Sequence, residues 1–156
     1  MTNRVAKAEM MIRSSLAEAF DAFVNPEKIT QFWLNATSGP LAQGATVTWT
    51  FMVPGATDTV TVTELDAQRR IAFAWSDGVN VAIDFQEQGG DAVQVSVAAT
   101  GFKSDEAGGV EQVVNATEGF SIVLCDLKTL LETGKSANLV RDKAALIAAS
   151  FAQPKA

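Results

Sequence analysis

"VTELDAQRRIAFAW", residues 62–75, reads as a strand, a turn and a second strand. Val62 continues an alternation begun at Val60, with Thr59, Thr61 and Thr63 on the opposite parity. Residues 66–70, "DAQRR", turn the chain. Ile71, Phe73 and Trp75 then alternate with Ala72, Ala74 and Ser76. A period of two with one apolar parity is the pattern of an antiparallel sheet that packs on one face and meets water on the other.

The pattern extends in both directions. Upstream, Val47, Trp49, Phe51 and Val53 share a parity against Thr46, Thr48 and Thr50, and Pro54-Gly55 turns. Downstream, Asp77-Gly78 is a hairpin signal; Val79, Val81, Ile83 and Phe85 follow it, opposite Asn80, Ala82, Asp84 and Gln86. After Gly89-Gly90-Asp91 come Val93, Val95, Val97 and Ala99. Five strands separated by short turns predict an antiparallel meander. A sixth strand is expected at 4–13, where Ala6, Ala8, Met10 and Ile12 oppose Lys7, Glu9 and Arg13.

Helical periodicity flanks the meander. Ser15 and Glu18 have capping-box spacing before Leu16, Ala19, Phe20 and Phe23. Asn25-Pro26 ends that helix and opens a short one running to about Trp33, with Asn25 as N-cap and Pro26 at the first position. A long helix is expected from Val110 to Glu132, with Gly134 placed to end it in the left-handed conformation. Its stripe includes Val113, Phe120, Leu124 and Leu127. Residues 137–151 repeat Leu139, Val140, Lys143, Leu146, Ile147 and Phe151 at helical spacing.

Six strands with one apolar face need a cover, and the long helix is the largest element available. A twisted sheet of this width curls around it, leaving a gap suited to an apolar pocket. The fold expected is α+β: a six-stranded curved antiparallel sheet wrapped around a long C-terminal helix, with two short helices after strand 1 and an extra C-terminal helix. Residues 1–134 would form one domain and 135–156 a helical extension. That extension packs outside its own sheet or makes a homodimer contact, since an unpartnered apolar stripe needs burial.

Composition narrows the function classes. Twelve Lys+Arg against 18 Asp+Glu give a net charge of −6 and offer no basic face for nucleic acid. No apolar run reaches membrane-spanning length, and the N-terminal charges at Arg4, Lys7, Glu9 and Arg13 leave no leader-type apolar region, so a cytoplasmic protein is expected. The absence of histidine removes Ser-His and Cys-His nucleophile pairs. With a single cysteine besides, no metal or other cofactor is expected. Cys125 itself reads as a small buried hydrophobe.

Four stretches, "SLAEAFDAFVNPEKITQFW", "VTELDAQRRIAFAW", "VAIDFQEQGGDAVQVSVAATGF" and "EGFSIVLCDLKTLLETG", together resemble the START-like (SRPBCC, Bet v 1-like, helix-grip) superfamily. Within it they are most similar to the branch named for the activator of the heat-shock-protein-90 ATPase, the polyketide cyclase/dehydratase-like proteins. The resemblance covers about residues 5–134. It departs at Ala67-Gln68, where the family favours prolines, and at Phe20 and Phe120, where it favours tryptophan.

The resemblance implies a cavity between sheet and long helix that takes an apolar or aromatic small molecule. Lining positions would be Trp49, Phe51, Phe73, Trp75, Ile83, Phe85, Val97, Phe120 and Leu124, with Phe32 and Trp33 at the mouth. The alternative for each is ordinary core. Of the adjacent pair, Phe32 is expected to plug the core and Trp33 to border the mouth. A co-chaperone-like interaction with a chaperone is the second reading. Catalysis of a cyclase, dehydratase or hydrolase type ranks last; Glu64, on the parity of Val60 and Val62, is its one carboxylate candidate. The segment "KSDEAGG" (103–109) is read as a surface loop or a gate over the pocket.

Overall fold

A computed structural model describes residues 4–102 and 107–152. In chain order it holds β1 (Ala6–Ile12), α1 (Leu16–Val24), α2 (Pro26–Phe32), β2 (Leu34–Thr37), β3 (Thr46–Phe51), β4 (Thr57–Asp66), β5 (Arg70–Trp75), β6 (Asn80–Gln88), β7 (Ala92–Thr100), α3 (Ala107–Thr133) and α4 (Leu139–Ala152). The strands form one antiparallel sheet in the order β1-β7-β6-β5-β4-β3-β2. This is the helix-grip architecture, with seven strands where six were expected. The added strand is β2, four residues long and joined to β3 across a register shift between Leu34 and Ala36. A strand so short, with a bulge, carries too little alternation to be read from sequence.

Local chemistry sets the helix ends. Ser15 Oγ accepts the Glu18 N–H at 3.1 Å, while the Glu18 carboxylate takes the Ser14 hydroxyl at 3.4 Å. Asn25 Oδ1 accepts the Glu27 N–H at 3.0 Å, and Pro26 stands at the first helical position. Gly134, at φ 84°, ends α3, and its N–H donates to Leu130 O at 2.8 Å. Gly101, at φ 89°, is required for two reasons: the left-handed backbone, and a Cβ there would lie 3.0 Å from Gly78 O. It turns the chain from β7 against the β5–β6 hairpin.

α3 starts at Ala107, three residues before the expected Val110, so Gly108 and Gly109 are helical. Residues 103–106 of the expected gate lie outside the described residues. α3 packs on β1 and β7, and α1 and α2 close one end. Its inner face buries Phe120, Val123, Leu124 and Leu127 against Ile12, Phe23, Val95 and Val97 of one continuous core. Cys125 is exposed, correcting the expectation of a buried thiol. It follows Leu124 by about 100° around the helix, which turns it off the inner face.

α4 is not seated on the outer sheet face: it packs on α3 and reaches α2. The buried Asp126 of α3 holds its entrance. Asp126 accepts the Ala137 N–H at 2.9 Å and the Ser136 hydroxyl at 2.9 and 3.0 Å from its two oxygens. About two α3 turns upstream, Lys143 pairs with Glu118 at 3.4 Å. Rising α4 numbers therefore meet falling α3 numbers, and the two helices run antiparallel.

Candidate functional site

The tryptophans and their phenylalanine neighbours decide where the core stops. α2 ends at Phe32, and Trp33, its C-cap, leaves the helix at φ −130°, ψ −52°. The two adjacent rings therefore diverge. Phe32 is sealed in the core, edge-on to Phe23 at 5.4 Å between centroids. Trp33 is 6% exposed and lies between Trp49 at 5.0 Å, Phe23 at 6.0 Å and Phe120 at 6.3 Å. Such edge-to-face packing favours the quadrupoles of both rings.

Beyond Trp33 the packing opens into a cleft of about 610 Å³. Trp33, Phe51, Trp75, Phe102 and Phe120 supply its aromatic surface. Met52, Val53 and Ala56 of the β3–β4 turn form one lip, and Val140, Ala144 and Ile147 of α4 form a wall. Polar groups are few: Gln112 and Asn115 on α3, Lys143 on α4, and Asp77 at the β5–β6 turn. Asp77 Oδ1 accepts the Val79 N–H at 2.9 Å, so that carboxylate is engaged at the sheet side.

Of the positions expected to line a cavity, Trp33, Phe51, Trp75 and Phe120 border this cleft. Phe32, Trp49, Phe73, Ile83, Phe85, Val97 and Leu124 belong to the core behind it. Trp49 is the keystone, with Phe73 at 5.3 Å and Trp75 at 5.5 Å besides Trp33. Inward parity alone does not separate rim from core: Phe73 and Trp75 share one parity of β5, yet only Trp75 borders the cleft. The α4 wall was not anticipated. Its stripe was legible, but periodicity does not say against which surface a helix folds.

Glu64 faces away from the cleft. A β-bulge between Val62 and Glu64 inserts one residue, so Val62 pairs with Phe73 but Glu64 pairs with Ala72. Parity reverses there: Leu65 points to the core, and Glu64 joins the outer face. On that face Arg70 meets Glu64 at 3.1 Å and takes both oxygens of Asp84, at 2.8 and 3.0 Å. One extra residue in β4 thus breaks the parity that Glu64 shared with Val60 and Val62 in sequence and leaves it at solvent, the other reading of a strand-end carboxylate.

Among the described residues no group of three or more acidic, cysteine or histidine side chains could hold a metal, and no helix is long and apolar enough to cross a membrane.

A family model described as "Activator of Hsp90 ATPase homolog 1-like protein" matches residues 13–132. Solved structures share the fold. The crystal structure of SSP2350 from Staphylococcus saprophyticus is 27% identical, with TM-score 0.75 over 85% of this chain and 95% of that one. The Aha1 dimer from Colwellia psychrerythraea, solved in solution, is 16% identical, with TM-score 0.75 over 85% of this chain and 99% of that one. DynU16, a protein in the dynemicin biosynthetic locus, is 20% identical with TM-score 0.74; the match spans 85% of this chain but 48% of that one. No curated protein matches the sequence.

Proposed function

The chain belongs to the family of Activator of Hsp90 ATPase homolog 1-like proteins, and from that premise we propose that its cleft binds an apolar or aromatic small molecule. The observation that carries this reading is the aromatic cleft itself. Its volume of about 610 Å³ falls within the range of roughly 300–1,000 Å³ found for small-molecule sites. Rings from β3, β5, α3 and the α2 terminus converge there on rigid elements, so the cavity exists before a ligand arrives and little ordering cost opposes binding.

The test is a ligand screen by thermal shift and native mass spectrometry with fatty acids, flavonoids and polycyclic aromatic polyketides. A bound stoichiometric ligand that raises the melting temperature is expected. Absence of both for every class, alongside a folded protein, overturns the reading.

A second reading is docking to a chaperone ATPase of the kind the family description names. It is favoured by the exposed apolar side chains Val110 and Val114 on α3 and Leu146 and Phe151 on α4. Co-sedimentation with the chaperone, and its loss in Val114→Asp and Leu146→Asp, tests it. The same two variants, run by light scattering, report whether these side chains join two copies of the chain.

A further inference from the structure

An aromatic cleft needs no charge to hold an apolar body, yet a cation stands at its rim. Lys143 borders the cleft from α4, one turn before Ile147. Gln112 and Asn115, three apart on α3, face the same space and are exposed. Because α3 and α4 run antiparallel, these side chains gather on the helical side, opposite the rings of β3 and β5. The other charged group at the rim, Asp77, is held by the Val79 N–H at the sheet side. The cleft thus joins aromatic rings from β3, β5, α2 and α3 with nitrogen-bearing side chains on α3 and α4.

Lys143 has a partner, Glu118, at 3.4 Å, and the two side chains are 38% and 56% exposed. A pair this open contributes little to stability. Glu118 loses little by turning to water, and the ammonium is then free for a bound group. The net charge of −6 acts against an anion at long range. Charges beyond roughly 8 Å are screened at physiological salt, so the nearest cation dominates at the rim.

We propose that the ligand of this cleft is an amphipathic organic anion. Its ring or chain lies on Trp33, Phe51, Trp75 and Phe120, and its carboxylate or comparable oxyanion meets Lys143. This rests on the small-molecule reading of the cleft and narrows it to a chemical class.

Two fluorescent probes of one shape separate the two ideas: anilinonaphthalene sulfonate, which is anionic, and its uncharged parent phenylnaphthylamine. Titrations at physiological salt are expected to show both bound by the native chain. Lys143→Met should weaken the anionic probe by about tenfold and leave the neutral one within about twofold. Glu118→Gln, which frees the ammonium, should tighten the anionic probe and not the neutral one. Equal effects on both probes, or none on either, overturn the anion assignment while the cleft reading stands. Binding of the neutral probe alone does the same. If neither probe binds the folded native chain, the cleft reading falls and the assignment falls with it. Matching thermal melts of the variants exclude unfolding as the cause.

Discussion

The Ser136 hydroxyl donates to the carboxylate of Asp126, 2.9 and 3.0 Å from its two oxygens, and the Ala137 N–H reaches the same group at 2.9 Å. Asp126 is 1% exposed, the one buried charged side chain among the described residues. It takes the chain out of α3 and into α4. Asp126→Ala removes the acceptor from both donors. The expected loss is about 2 kcal/mol of stability, from hydrogen bonds to a charged group. Amide hydrogen exchange checks where the loss falls: α4 should exchange faster, while β5 to β7 stay protected.

Phe32 and Phe51 separate core from cleft. Phe32 is fully enclosed, and Phe32→Ala should cost about 3–5 kcal/mol. Phe51 is half-buried at the cleft, so Phe51→Ala should cost less than about 2 kcal/mol. It should nonetheless weaken the aromatic probes several-fold. Urea titrations and probe binding on the same two proteins check the contrast. A larger stability loss for Phe51→Ala than for Phe32→Ala would reverse the assignment.

Glu64 and Asp84 share Arg70 on the outer sheet face, where all three side chains are 40% exposed or more. Pairs so open contribute at most about 1 kcal/mol. Glu64→Gln should therefore shift stability by less than that and leave probe affinity unchanged. A change in affinity would place Glu64 back at the cleft.

Glu132 ties the end of α3 to β1. Its carboxylate accepts the Arg13 N–H at 2.8 Å, and Lys128 reaches the same oxygen at 2.6 Å. The Arg13 N–H first, then the Lys128 ammonium, holds the Glu132 pKa below its ordinary value. A carboxyl depressed in the folded state adds stability above its unfolded pKa, about 4.3 for Glu, and loses it as pH falls through the lowered value. The native chain should thus lose stability on acidification below about pH 4 more steeply than Glu132→Gln. Melting temperatures measured in steps from neutral pH downward check the slopes.

The sequence made β3 to β7 legible because each turn there is marked by Gly, Asp or Pro and apolar residues alternate along most of each strand. Asn25-Pro26 and Gly134 likewise marked helix ends by their own stereochemistry. Parity failed at Thr63 because a bulge leaves no compositional trace among threonines. β2 escaped because Leu34-Asn-Ala-Thr37 holds only two alternations. The site was half-readable. Aromatic content told that rings converge, but whether Trp49 or Trp33 meets solvent depends on where α2 ends and how α4 folds back. Lys143 was visible only as a member of a helical stripe; its place at the cleft arises from tertiary packing.

The wall built by α4 has a further consequence. Residues 13–132, the stretch that matches the family, supply the floor of the cleft, whereas Val140, Lys143, Ala144 and Ile147 lie beyond that stretch. The cleft is composite. Its floor and its outer wall come from successive lengths of chain, joined at Asp126. Exchanging the tail while keeping that junction would recut the cleft without touching the sheet, much as one lens mount accepts different optics.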